Sequence, residues 1–179
     1  DTTVYQVLKD NEQVENFLTK TDMFTGEAIA NCVFEIKDMD ENVIVHSITD
    51  ENGERYIPVL LLEKGKTYTY TEIEATEIYD LNTEPHEFVA DYEINEETGK
   101  VEWGKKIHVE NRRKESNVTL EKLDFADSKP IPNCKFELRS LETDFVVEGV
   151  TDENGIYVFE NIPYGKYTYT ELEAPEEYI

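Results

Sequence analysis

The stretch TYTYTEIEA at residues 67–75 returns as KYTYTELEA at residues 166–174. In both copies aromatic residues alternate with Thr or Lys, the period of a strand with one buried face. In the first copy Tyr68, Tyr70 and Glu72 share a face, and the threonines take the other. A carboxylate therefore ends an apolar stripe, at Glu72 and again at Glu171. A buried carboxylate without a partner is costly, so each Glu requires a partner from another strand.

The repetition extends along the chain. LTKTD (18–22) matches LEKLD (120–124), NCVFEI (31–36) matches NCKFEL (133–138), and TDENG (49–53) matches TDENG (151–155), all at one offset. YTYTEIEATEIY (68–79) then matches YTYTELEAPEEY (167–178) at a shorter offset, which places a small deletion between the last two motifs of the second copy. The first copy continues through a polar stretch, residues 80–104, to KIHVEN (106–111); the second stops at Ile179. DTTVYQVLKDNEQVEN (1–16) precedes LTKTD much as KKIHVENRRKESNV (105–118) precedes LEKLD. The phase implies three pieces. Residues 1–16 read as the last strand of a preceding module, residues 17–112 as a complete module, and residues 117–179 as a module lacking its last strand. With no signal peptide and no lipidation motif at its ends, the chain is expected to be an excised fragment.

Short runs rich in Val, Ile, Tyr, Phe and Thr, punctuated by DENG and EKGK turns, predict an all-β fold of tandem β-sandwich modules. Residues 80–91 leave helix and strand both open.

Composition narrows the function. A hydrophobic fraction of 39% supports a core, while 41 acidic residues against 17 basic ones give a net charge of −24. That balance argues against nucleic acid and anionic membrane surfaces as partners. No apolar run approaches the roughly 18 residues of a membrane helix. Cys32 and Cys134 fall in different modules and read as free buried thiols. Neither has a second Cys or His at ligand spacing, so no metal and no cofactor is expected. DMDEN (38–42) and TDENG lack the Gly and distal Glu of an EF-hand loop and read as acidic turns. There is no nucleophile elbow, P-loop or HExxH motif, so a turnover enzyme is not expected.

Two further polar residues extend apolar faces. Leu18 and Lys20 share one strand face; Ile107, Val109 and Asn111 share another. Desolvation favours a neutral amine and a protonated carboxyl. A buried Lys20 would be a nucleophile, and Glu72 would polarise the Asn111 carboxamide and shuttle protons. Attack of the amine on the amide carbon would release ammonia and leave an isopeptide cross-link. In the second copy Lys122 and Glu171 stand in the same phase.

LTKTD, NCVFEI and YTYTEIEATEIY, with LEKLD, NCKFEL and YTYTELEAPEEY, resemble the motifs of Cna B-type (SpaA-like) domains of Gram-positive surface adhesins and pilins. The resemblance covers residues 18–111 and 120–179. It implies Greek-key sandwiches of the prealbumin or immunoglobulin-like kind. It also implies a bond from the first-strand Lys to an Asn or Asp of the last strand, assisted by the Glu: Lys20, Asn111 and Glu72 in the first module, Lys122 and Glu171 in the second. Asn-Cys stands where the family pattern has Gly-Ala, and Thr76 and Ile78 replace its Pro and Gly. The acceptor for Lys122 lies outside its own module; Asp10, then Asn11, are the candidates in trans. The resemblance implies a stalk or spacer in an extracellular, cell-wall-anchored protein. Its partners would be neighbouring modules and, through the orphan edge of the second module, other copies added head to tail. The alternative is an adhesin domain that recognises a host matrix protein through residues 80–104, which hold His86, Phe88, Tyr92 and Trp103.

Overall fold

A computed structural model describes residues 17–57 and 59–178. The chain divides into two compact units, Asp1–Arg112 and Arg113–Ile179.

In the first unit β1 (Leu18–Asp22), β2 (Val33–Asp38), β3 (Val43–Ile48) and the short β4 (Glu54–Arg55) lead to a 3-10 turn, Val59–Leu61. β5 (Thr67–Glu74), β6 (His86–Val89), β7 (Tyr92–Ile94), β8 (Val101–Trp103) and β9 (Ile107–Asn111) follow. One sheet has the order β3-β2-β5-β6, a second β4-β1-β9, and β7 and β8 form a hairpin. The alternation read from the sequence is realised: along β1, Leu18, Lys20 and Asp22 are buried, and Thr19 and Thr21 less so. Phe17, Leu18, Phe34, Ile36 and Tyr68 belong to one buried core. β1 and β9 run parallel, with Leu18 opposite Ile107 and Asp22 opposite Asn111. The first and last strands of the unit are thus hydrogen-bonded neighbours.

Residues 80–104 contain strands β6, β7 and β8; within the ambiguous stretch 80–91 only His86–Val89 is strand, and the rest is neither helix nor strand. Their aromatics turn inward. Phe88 lies 4.8 Å from the Phe17 ring, and Trp103 is 4.6 Å from Phe17 and 5.5 Å from Tyr92.

The second unit contains β10 (Glu115–Glu121), β11 (Lys135–Ser140), β12 (Val146–Val150), β13 (Ile156–Pro163) and β14 (Tyr167–Glu173), then a 3-10 turn, Glu176–Tyr178. Its sheets are β12-β11-β14 and β10-β13. Phe136, Leu138, Phe159 and Ile162 form its core with Ile131 and Cys134. The shortened offset has a structural counterpart: β13 runs unbroken where the first unit has β4 followed by a 3-10 turn.

Both units reuse the same turn chemistry. Asn31 and Asn133, which replace the family's Gly, take φ of 62° and 60°. Asn is one of the few residues that enter this left-handed region at low cost, so the turn before β2 and β11 survives the replacement. Thr49 Oγ1 donates to the Ile29 carbonyl at 2.8 Å and accepts from the Cys32 amide at 3.0 Å. Thr151 does the same for Ile131 and Cys134, at 2.9 and 3.0 Å.

Candidate functional site: a buried Lys–Glu–Asn cluster

Lys20 arrives on β1, Glu72 on β5 and Asn111 at the end of β9. Lys20 and Asn111 are two steps out of direct register, since Lys20 faces Val109 across the parallel pair. Glu72 comes from the opposite sheet, where it pairs with Phe34 beside a bulge in β5 at Ile73. The TDENG turn holds the lysine backbone. The Lys20 amide donates to the Gly53 carbonyl at 2.7 Å. Gly53 has φ +67°, and a Cβ there would strike the Lys20 carbonyl oxygen. Only glycine meets both demands without strain.

The structure brings the three side chains together. Asn111 Nδ2 donates to both Glu72 oxygens at 2.9 Å. Lys20 Nζ stands 3.7 Å from Glu72 Oε1, within ion-pair range but beyond a hydrogen bond, and the two side chains are 0% and 1% exposed. Among the described residues neither Lys20 Nζ nor Asn111 Oδ1 has a hydrogen-bond partner. Such orphans are rare in native interiors and require an explanation. Burial is the largest influence on Lys20 and pulls its pKa below the ordinary lysine value, against the opposing pull of Glu72.

The sequence does not place three further groups beside the cluster. The Asn82 backbone amide donates to Glu72 Oε2 at 3.2 Å and fixes the carboxylate from the connection after β5. Cys32 is fully buried, and burial, then Glu72, pushes its thiol up to about 11. Asp22 accepts the Tyr79 hydroxyl at 2.8 Å and the Phe24 amide at 2.7 Å, which ties the end of LTKTD to the end of the YTYTE motif. Asp22 was legible in outline, since it continues the Leu18–Lys20 face; Asn82 left no signal, because its contribution is a backbone group.

The second unit repeats the pair but not its environment. Lys122 Nζ is 2.8 Å from Glu171 Oε2, and the two side chains are 30% and 32% exposed. Here the hydrogen bond that Lys122 donates to Glu171 is the first influence and raises the Lys122 pKa, the reverse of Lys20. Asp10 and Asn11, and the strand expected over 1–16, lie outside the described residues. The acidic turns are internally occupied: Asp38 Oδ1 accepts the Asn42 amide and Asp50 Oδ1 the Glu54 amide, both at 2.9 Å.

A family model for the SpaA prealbumin-like fold domain matches residues 15–107 and 116–179. The chain belongs to this SpaA-like family. Among solved structures, the Bacillus anthracis TIE protein is similar at 32% identity and a TM-score of 0.51; the match covers 88% of this SpaA-like chain. The same match covers only 28% of that protein. BcpA, the major pilin subunit of Bacillus cereus, matches at 14% identity and TM-score 0.43, covering 88% of this chain and 87% of its own. The shaft pilin SpaA from Lactobacillus rhamnosus GG matches at 12% identity and TM-score 0.38, covering 89% and 86%. No curated protein matches the chain. SpaA-like membership fixes the all-β prealbumin-like architecture of both units.

Proposed function

We propose that the chain is a stalk or spacer segment of a Gram-positive cell-surface protein, of the pilin or adhesin kind, and that the first unit locks itself with a Lys20–Asn111 isopeptide bond. One observation carries the chemistry. A fully buried lysine amine without a hydrogen-bond partner lies beside a carboxylate that holds a buried carboxamide. Family membership supports the structural role, and the presence of related folds in pilins is consistent with it.

The steps follow from placement. Burial favours the neutral amine, whose lone pair attacks Cγ of Asn111. The new C–N bond forms, and one Nζ proton passes to Glu72. Glu72 already contacts Nδ2, the nitrogen that must leave, so it returns a proton there as the old C–N bond breaks and ammonia departs. The protein is consumed as its own substrate, a single turnover rather than enzymatic cycling. An extracellular, wall-anchored location and neighbouring modules as partners belong to this reading. The adhesin alternative through residues 80–104 has less support, because Phe88 and Trp103 pack inward.

Intact mass tests the proposal. The wild type should be lighter than its sequence by one ammonia, and Glu72→Ala should keep full mass. Full mass in both would reject the cross-link and leave an unreacted SpaA-like sandwich.

A further inference from the structure

The two oxygens of Glu72 are not equivalent. Asn111 Nδ2 lies 2.9 Å from both. Oε2 accepts a second hydrogen bond, from the Asn82 amide at 3.2 Å, whereas Oε1 faces the Lys20 amine at 3.7 Å. Asn82 belongs to the connection between β5 and β6, which runs from residue 75 to residue 85. That is longer than an antiparallel pair needs. The connection is stitched to every strand of the site. The Tyr79 hydroxyl donates to Asp22 Oδ2 at 2.8 Å, at the end of β1, and the Tyr79 ring is buried. The Asp80 amide donates to the Arg112 carbonyl at 2.9 Å, one residue beyond Asn111 and β9. The Asn82 amide reaches back to β5 itself. Residues 79–82 thus touch the strands that carry Lys20, Asn111 and Glu72.

We propose that residues 79–82 form a strap over the cross-link site and that Asn82 is a positioning residue, whose backbone amide anchors Glu72 Oε2 and leaves Oε1 to carry the proton from Lys20 Nζ to Asn111 Nδ2. The inference rests on the Lys20–Asn111 chemistry proposed for the first unit. An acid–base group contributes only when it is held within reach of the proton it moves. Asn111 alone cannot select one oxygen, because Nδ2 contacts both at the same distance. The Asn82 amide supplies the asymmetry. As Nζ bonds to Cγ of Asn111, one Nζ proton passes to Oε1. That proton goes on to Nδ2, the old C–N bond breaks, and ammonia leaves with Glu72 again a carboxylate. Oε2 stays on the amide throughout, so Glu72 does not rotate between its two proton transfers. The Tyr79 and Asp80 bonds tie the strap to β1 and β9, so the anchor moves with the two strands that are joined.

The test follows the intact mass of the full chain over time after a pulse of cell-free synthesis. Asn82→Pro removes the amide hydrogen. Asn82→Ser keeps it, together with a side-chain acceptor for the Glu84 amide, which Asn82 Oδ1 binds at 3.1 Å in the wild type. Asn82→Pro should lose ammonia about 10- to 100-fold more slowly than the wild type, the scale on which a misplaced acid–base group slows a reaction. Asn82→Ser should keep the wild-type rate. Asn82→Pro at the wild-type rate, or Asn82→Ser as slow as Asn82→Pro, overturns the inference. Amide hydrogen exchange gives a second reading that does not depend on the proline substitution. In Lys20→Arg, which cannot cross-link, the Asn82 amide should be protected. Adding Glu72→Ala should remove that protection, while the Asp80 amide, bonded to the Arg112 carbonyl, keeps its own. Equal protection at Asn82 with and without Glu72 overturns the inference. A wild type that loses no ammonia refutes the cross-link itself, and the exchange result reports on the anchor separately, so the two failures are distinguishable.

Discussion

At the scale of the residue, Lys20 and Lys122 show that identity does not set reactivity. Both face a glutamate, yet full burial lowers the pKa of one and an exposed hydrogen bond raises the other. A pH prediction follows for Asn111→Ala, which cannot form the bond. Folded Lys20 has a pKa below its unfolded 10.5, so between those values the unfolded chain binds more protons and stability rises with pH. The rise begins at the lowered folded pKa. It is best read below pH 9.0, because folded Cys32 titrates higher than the unfolded thiol and reverses the trend above that value. Urea midpoints across this range should climb, and a flat profile would contradict a depressed Lys20. Tyr79→Phe removes the hydroxyl that donates to buried Asp22. It should cost about 1–3 kcal/mol in urea unfolding, with the fold retained in far-UV circular dichroism.

At the scale of the element, β1 is placed from both sides: β9 carries Asn111, the proposed acceptor, and the TDENG turn holds the backbone. Gly53 and Gly155 do the same work, with φ of +67° and +71° and a lysine carbonyl where a Cβ would stand. Gly53→Ala should lower stability by roughly 1–3 kcal/mol and slow ammonia loss in a mass time course, because Lys20 moves with the turn. Gly155→Ala should destabilise the second unit without changing that rate. The turns and strands were legible in the sequence through period-two alternation and DENG. Residues 80–91 were not, because short strands flanked by polar residues leave too little periodicity to decide.

At the scale of the whole molecule, the proposed bond from residue 20 to residue 111 would close nearly all of the first unit into a loop. By analogy with disulfides of this span, it would remove unfolded-chain entropy worth about 4–5 kcal/mol. Lys20→Arg should lose stability of that order, and calorimetry should show only the upper of two transitions moving down. The lower transition belongs to the second unit, whose buried core is the smaller of the two. Because the proposed bond would join the first and last strands, pulling on the wild type should leave the first unit folded while the Lys20→Arg unit extends. Equal extension lengths in a single-molecule experiment would argue against a force-bearing cross-link.

The sequence alone determined the repeat, the all-β class and the inward faces of β1, β5 and β9. All three are local: alternation, turn residues and self-similarity lie within short windows. It also singled out Lys20, Glu72 and Asn111, because a polar group that continues an apolar stripe is visible before any contact is known. Tertiary structure decided the rest. Proximity of Glu72 to Asn111, the Asn82 amide on the carboxylate and the thiol of Cys32 at the site depend on which strands become neighbours. Burial decided most: the same Lys–Glu pair is fully buried in one unit and about a third exposed in the other. Exclusion of water is a property of packing between distant segments, and no local window of sequence contains it.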